Sequence, residues 1–364
     1  MLRLARWLGP WTAADAVPPG VVRDELVIDP SRDGDRPMRV WAYRPADRAP
    51  HGSLLLLHGL HYLGPSDPRM DRFSRILADD GALVWAPFVP DFERLVLAPS
   101  VFRDAERALD ALLAHPGRPE GKTPGAMSIS FGSLPALHLA SNLEHSFKLS
   151  SLVLFGGYAD IADTMRFCLQ GTPGRPDVSH DPYNRPVVYM NLVEHLDDSL
   201  PRDRAPLVSA WRTFIDRTWG RPALKSDLAA GEAIAREIAA TLEPVWRSVF
   251  MKTTGFEPGG VALFEEAIAR AKDALAWLDP TEKMRSVRVP TSVLHGADDD
   301  VIPHTHARIF EREIPRHHLR GVRVTGLYGH TGAAAPLWSS AGQLVDEVSA
   351  MLGALAALDR ASRG

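Results

Sequence analysis

Ala126-Met127-Ser128-Ile129-Ser130-Phe131-Gly132 decides the fold: a short apolar strand gives way, at a serine flanked by small residues, to the pattern of a helix over Ser130 to Ser141. So tight a strand-to-helix turn lifts the Ser130 hydroxyl above the sheet. It also sets it at a helix N-terminus, where N–H groups without intrahelical partners favour developing negative charge. Small residues are needed two before and two after the serine, because strand and helix backbones approach closely there. Gly132 meets this fully and Ser128 tolerably. Pro135 falls early in the helix, where a missing N–H costs little.

Outward from this turn, short apolar strands alternate with amphipathic helices, which predicts α/β architecture with a largely parallel sheet. Glu25 to Asp29 and Met38 to Tyr43 read as strands joined by the turn-rich Pro30 to Asp35. Ser53 to Leu57 is continuously apolar, as expected of a strand buried on both faces. A helix over Asp67 to Asp80 follows, its apolar Met70, Phe73, Ile76 and Leu77 at helical spacing and Gly81 at its end. Ala82 to Pro87 is a strand, Ser100 to Ala114 a helix, and Ser151 to Phe155 another buried strand.

There the alternation breaks. Ala159 to Ser286 holds no strand pattern, only helical ones over Pro186 to Asp197, Lys225 to Ala240 and Val261 to Leu278. Strands resume with Thr291 to Leu294 and Val322 to Val324, and a last amphipathic helix spans Ser340 to Leu358. The expected organisation is one α/β core, residues 1–158 with 287–364, interrupted after its sixth strand by a helical insertion, 159–286. The first ~20 residues are an extension to that core.

The 364-residue length exceeds twice the prior of roughly 150 residues per domain, which one large interrupted domain satisfies. A 45% hydrophobic and 24% charged composition suits a globular core and excludes collagenous and disordered classes. The net charge of −4, without a Lys/Arg cluster, argues against nucleic-acid binding. A single Cys168 excludes an internal disulfide. No apolar run approaches the roughly 18 residues of a membrane span. Met1 to Leu8 lacks the apolar core of a signal peptide and reads as a short amphipathic docking helix. A cytoplasmic setting is the expectation.

A serine nucleophile needs a base to take its proton and a carboxylate to orient that base. Leu294-His295-Gly296-Ala297-Asp298-Asp299-Asp300-Val301-Ile302-Pro303 follows a buried strand and presents three adjacent carboxylates. Tyr328-Gly329-His330 follows the last strand, and Leu57-His58-Gly59-Leu60-His61 the first long apolar one. His304, His306, His317 and His318 have no carboxylate or Cys at a convincing ligand spacing, so no metal is expected. Cys168 reads as a small buried hydrophobe.

Together these motifs make the sequence resemble the α/β-hydrolase-fold serine hydrolases that carry a helical cap, a group of esterases, lipases and peptidases. The resemblance runs from about Glu25 to Leu358, with the cap matched only by position and helical character. It implies a mostly parallel sheet flanked by helices, with the cap inserted after the sixth strand. It also implies that Ser130 is the nucleophile, Asp299 the acid and His330 the base, in the chain order of that fold. Asp299 stands four residues before Pro303, with Asp298 as the fallback. The oxyanion hole would be the backbone N–H groups of Leu60 and Phe131, supported by His58, Gly59 and Gly132.

The implied activity is hydrolysis of an ester, or a related acyl bond, of a small or hydrophobic substrate through an acyl-enzyme. No metal or organic cofactor, nucleic-acid partner or stable membrane insertion is implied, and the partner is a small-molecule substrate. The oligomeric state is not set by the sequence. Trp211, Phe214, Trp219, Trp246, Phe250 and Phe256 of the insertion suit an apolar pocket or, more simply, its core. The competing readings are an aminopeptidase-like or acyltransferase member of the fold, or a catalytically silent binding protein. Glu265-Glu266 would serve a peptidase by gripping a free amine.

Overall fold

A computed structural model describes residues 2–8, 13, 15–171, 180–326 and 341–364. Among them eight strands form one sheet: β1 Val21–Ile28, β2 Met38–Pro45, β3 Gly52–Leu57, β4 Ala82–Pro87, β5 Gly125–Ile129, β6 Leu152–Phe155, β7 Thr291–Gly296 and β8 Leu319–Thr325. Their order across the sheet is β1-β2-β4-β3-β5-β6-β7-β8. Only the pairings of β2, with β1 and with β4, are antiparallel; all others are parallel. β3, β4 and β7 are buried at every position, which explains the nearly unbroken apolar sequences of β3 and β4, whereas β7 also buries the polar Thr291, Ser292 and His295.

Alternate strand residues enter two cores. Leu55, Leu57, Trp85 and Leu154 meet Leu109 and Leu112 of the helix Ser100–Ala114, Leu137 of Ser133–Ser141 and Phe310 of His306–Glu313. Leu54, Leu56, Val84 and Val153 meet Ile76 and Leu77 of Pro68–Asp80 and Leu355 and Leu358 of Ala341–Arg363. Helices thus cover both faces, as a parallel sheet requires. The mostly parallel α/β architecture expected from the apolar runs is the one observed. This sheet unit comprises Met1–Ala159, Pro280–Asp299 and His304–Gly364.

The second unit comprises Asp160–Asp279 and Asp300–Pro303, and its secondary structure is helical among the described residues. Its core is aromatic. Trp211, Phe214, Trp246 and Phe250 are buried, the Trp211 indole N–H donates to Thr253 Oγ1 at 2.9 Å, and Phe214 meets Phe250 and Phe256 edge-on. Trp219 is half-buried and donates to the Tyr183 carbonyl at 2.9 Å. These rings hold the unit together before any are left to line a pocket. Its helices are shorter than the sequence periodicity suggests. Pro186 to Asp197 resolves into Arg185–Met190 and a 3-10 turn Val193–His195, and Lys225 to Ala240 into Pro222–Ser226 and Leu228–Ala240. Val261 to Leu278 likewise becomes Gly260–Arg270 and a 3-10 turn Ala276–Leu278.

Candidate active site

Ser130 follows β5 directly and opens a 3-10 turn, Ser130–Gly132, that runs into the helix Ser133–Ser141. Its φ is +55°; among the described residues only Leu95 is another non-glycine with positive φ. An L-residue is crowded in this left-handed region, so the conformation persists only where its surroundings impose it. Those surroundings are backbone. A Cβ at Gly132 would lie 2.6 Å from the Leu57 carbonyl oxygen and 2.7 Å from that of His58. One at Gly59 would lie 2.8 Å from Ser130 Cβ and 3.3 Å from its Oγ. The glycines that the sequence places beside the serine are therefore the points where the β3 loop and the β5 turn touch. Pro135 sits at the third position of its helix, within the first turn, where it displaces no intrahelical hydrogen bond.

The β3 loop is fixed at several points. The Val89 N–H donates to His58 Nε2 at 3.0 Å, so the ring proton sits on Nδ1, 2.6 Å from the Gly59 carbonyl oxygen. Burial lowers the pKa of His58 from the ordinary 6.5 to about 4, so this imidazole is neutral and structural. Next along the loop, the Leu63 N–H donates to His61 Nδ1 at 3.1 Å, and the His61 ring stacks on Tyr62. Leu60 and Phe131 are each half-buried, and the Phe131 ring packs 5.0 Å from that of Tyr158 after β6. Neither the Val89 donor nor the Tyr158 packing carries a motif that sequence reading detects.

After β7 the three carboxylates separate by environment. Asp298 is exposed, whereas Asp299 is only 3% exposed and its Oδ2 lies 3.4 Å from His295 Nε2. Asp300 is also buried, and its carboxylate accepts from Lys225 Nζ at 2.7 Å. His330, expected after β8, lies outside the described residues. Because β3, β5, β6, β7 and β8 run parallel, the loops bearing Leu60, Ser130 and Asp299 all leave the carboxyl edge of the sheet. That edge is where open α/β sheets bind ligands. β5 and β7 are separated by one strand, roughly 10 Å across the sheet.

His306 is buried and its Nδ1 accepts from the Ala159 N–H at 3.1 Å, and His317 packs on His318. Among the described residues no group of three or more His, Cys, Asp or Glu is placed to hold a metal ion, and no helix is long and apolar enough to cross a membrane.

The strand order, with β2 antiparallel among parallel neighbours and a strained serine at the β5 turn, defines the α/β-hydrolase fold, and the chain has that fold. Among solved structures the chain is similar to 2,6-dihydroxy-pseudo-oxynicotine hydrolase, at 17% identity over 85% of this chain and 62% of that one, TM-score 0.45. It is also similar to the acylaminoacyl peptidase of Pyrococcus horikoshii, at 11% identity over 85% of this chain and 38% of that one, TM-score 0.44. A third is an esterase of Pyrococcus furiosus, at 11% identity over 94% and 92%, TM-score 0.47. The chain spans less than two thirds of the first two proteins. No protein-family model and no curated protein matches it.

Proposed function

We propose that the protein is a serine hydrolase that cleaves an ester, or a related acyl bond, of a small or hydrophobic substrate. Ser130 Oγ attacks the acyl carbon while His330 accepts its proton, and Asp299 orients the imidazole and stabilises its cation. The Leu60 and Phe131 N–H groups receive the oxyanion. Collapse of the tetrahedral adduct expels the alcohol, which takes the proton from His330. Water, deprotonated by His330, then attacks the acyl-enzyme and releases the acid and free Ser130.

The observation that carries this reading is the +55° φ of Ser130, a strained conformation at the end of β5 where the β3 loop approaches closely. A serine with only a packing role has no need of it. Burial of Asp299 beside exposed Asp298 favours Asp299 as the acid. The helical unit, Asp160–Asp279, serves as the substrate-selecting cap in this reading. An ester is preferred to a peptide because Glu265 is held by two hydrogen bonds from Arg166, at 2.7 and 2.9 Å, and Glu266 pairs with Arg270. Neither carboxylate stands ready for a substrate amine.

A fluorophosphonate probe tests the nucleophile. Wild-type protein is expected to label and Ser130→Ala to remain unlabelled, with p-nitrophenyl ester hydrolysis lost in parallel. An unlabelled wild type, or equal labelling of the variant, overturns the proposal. Competition by aminoacyl amides but not by esters would move the substrate class to peptides.

A further inference from the structure

The chain passes from the sheet unit into the helical unit at the peptide bond between Asp299 and Asp300, and returns after Pro303. The proposed acid is thus the last sheet-unit residue before a four-residue segment packed among helices. That segment is held at three points. The Asp181 N–H donates to the Asp300 carbonyl at 2.8 Å, and the Cys168 thiol faces the Val301 carbonyl at 3.5 Å. Lys225 Nζ, from the short helix Pro222–Ser226, bridges Asp300 Oδ2 at 2.7 Å and Asp181 Oδ2 at 2.9 Å. The lysine side chain is 33% exposed, and the two carboxylates are 10% and 12% exposed.

An ion pair withdrawn from water gains little net free energy, but removing one partner leaves the others buried with uncompensated charge. Without Lys225, two carboxylates would face each other across the site it now fills. Burial opposes the Lys225 charge, but the two carboxylates outweigh it and raise its pKa, so the ammonium persists at neutral pH. Lys225 is the group that lets the Asp300 carboxylate lie buried beside that of Asp181, and the backbone of Asp300 is covalently next to Asp299.

We propose that Lys225 is a positioning residue: by clamping Asp300 against Asp181 it fixes the turn that aims the Asp299 carboxylate. This rests on the reading of Asp299 as the catalytic acid. A small misplacement of a catalytic group costs on the order of a hundredfold in rate.

The test is a double-mutant cycle on ester hydrolysis, using p-nitrophenyl acetate and p-nitrophenyl butyrate. Lys225→Met is expected to lower kcat about tenfold or more for both esters with KM little changed, and Lys225→Arg, which keeps the charge, to recover much of the loss. In an Asp299→Asn background the same Lys225→Met change should cost less than about twofold, because the interaction it supports is already gone. A role confined to folding or to substrate binding predicts equal losses in both backgrounds, or a loss in KM alone, and either overturns the proposal. Wild-type kcat in Lys225→Met, with Asp299→Asn inactive, overturns it while leaving the acid in place. Wild-type activity in Asp299→Asn overturns the acid assignment, and the positioning role falls with it. Should Lys225→Met fail to fold, Lys225→Arg carries the cycle: its smaller loss must likewise vanish in the Asp299→Asn background.

Discussion

Ser130 adopts φ +55°, a conformation that costs an L-residue about 1–3 kcal/mol, with Gly59 packed closely against it and Gly132 against the Leu57 and His58 carbonyls. A Cβ at Gly59 would meet Ser130 Cβ at 2.8 Å and the Ile129 carbonyl oxygen at 3.2 Å, whereas the φ of Gly59 is one any residue adopts. Gly59→Ala should therefore fold but displace the serine or the adjoining donor, lowering kcat about a hundredfold with a melting temperature near wild type. Activity close to wild type would remove Gly59 from the site. His58 yields a prediction of a different kind. Its folded pKa of about 4 lies below the ordinary 6.5, so in that interval the unfolded chain binds a proton that the native fold does not. Stability from this group is complete above 6.5 and is lost as pH falls toward 4, by about 3 kcal/mol in total. In urea titrations, the stability advantage of wild type over His58→Gln should shrink by that amount between pH 7 and pH 4. Parallel pH profiles would show that His58 is not the group responsible.

At the scale of elements, strands were legible and the inserted helices less so, for reasons of burial and capping. β3 and β4 are buried on both faces and almost wholly apolar, so their sequences reveal them directly, while in β7 only Val293 and Leu294 carry the apolar signal. The β5 turn was equally legible because its chemistry requires small residues at fixed local spacing around Ser130. Lys225 to Ala240, by contrast, keeps a helical period across a break that one side chain makes. The Asp227 carboxylate accepts the Ala230 N–H at 3.0 Å and starts the helix Leu228–Ala240 afresh. Likewise the Asn191 side chain turns back to the Val187 carbonyl at 2.9 Å, at the point where Arg185–Met190 stops. Both devices compete with the helix through residues whose periodicity looks innocent. The bond from Val89 to His58 and that from Lys225 to Asp300 join residues 31 and 75 positions apart, and no local pattern records them. The site's motifs could be read in sequence because each is short-range, while the contacts that hold those motifs in place are long-range.

For the molecule as a whole, the two edges of the sheet carry different burdens. The carboxyl edge bears the loops of Leu60, Ser130 and Asp299, and there backbone strain and buried charge are concentrated. The amino edge is sealed by the last helix, Ala341–Arg363, whose Leu355, Leu358 and Ala361 are buried against the strands. That seal depends on two glycines. A Cβ at Gly52, the first residue of β3, would collide with the Ser362 backbone, and one at Gly125, the first residue of β5, with the Ala361 carbonyl. Gly125 stands one strand length from Ser130, about 17 Å along an extended chain. Gly125→Ala should therefore separate stability from catalysis. Forcing the helix off the strand is an overpacking change of about 1–3 kcal/mol, lowering the melting temperature by about 5 °C in a unit of this size. Ester turnover at 25 °C, where the variant is still folded, should stay within about twofold of wild type, because nothing at the carboxyl edge has moved. Thermal melts paired with fluorophosphonate labelling rates measure the two effects in one preparation. A labelling rate that falls together with the melting temperature would mean that strain travels the length of β5, and that the two edges are not independent.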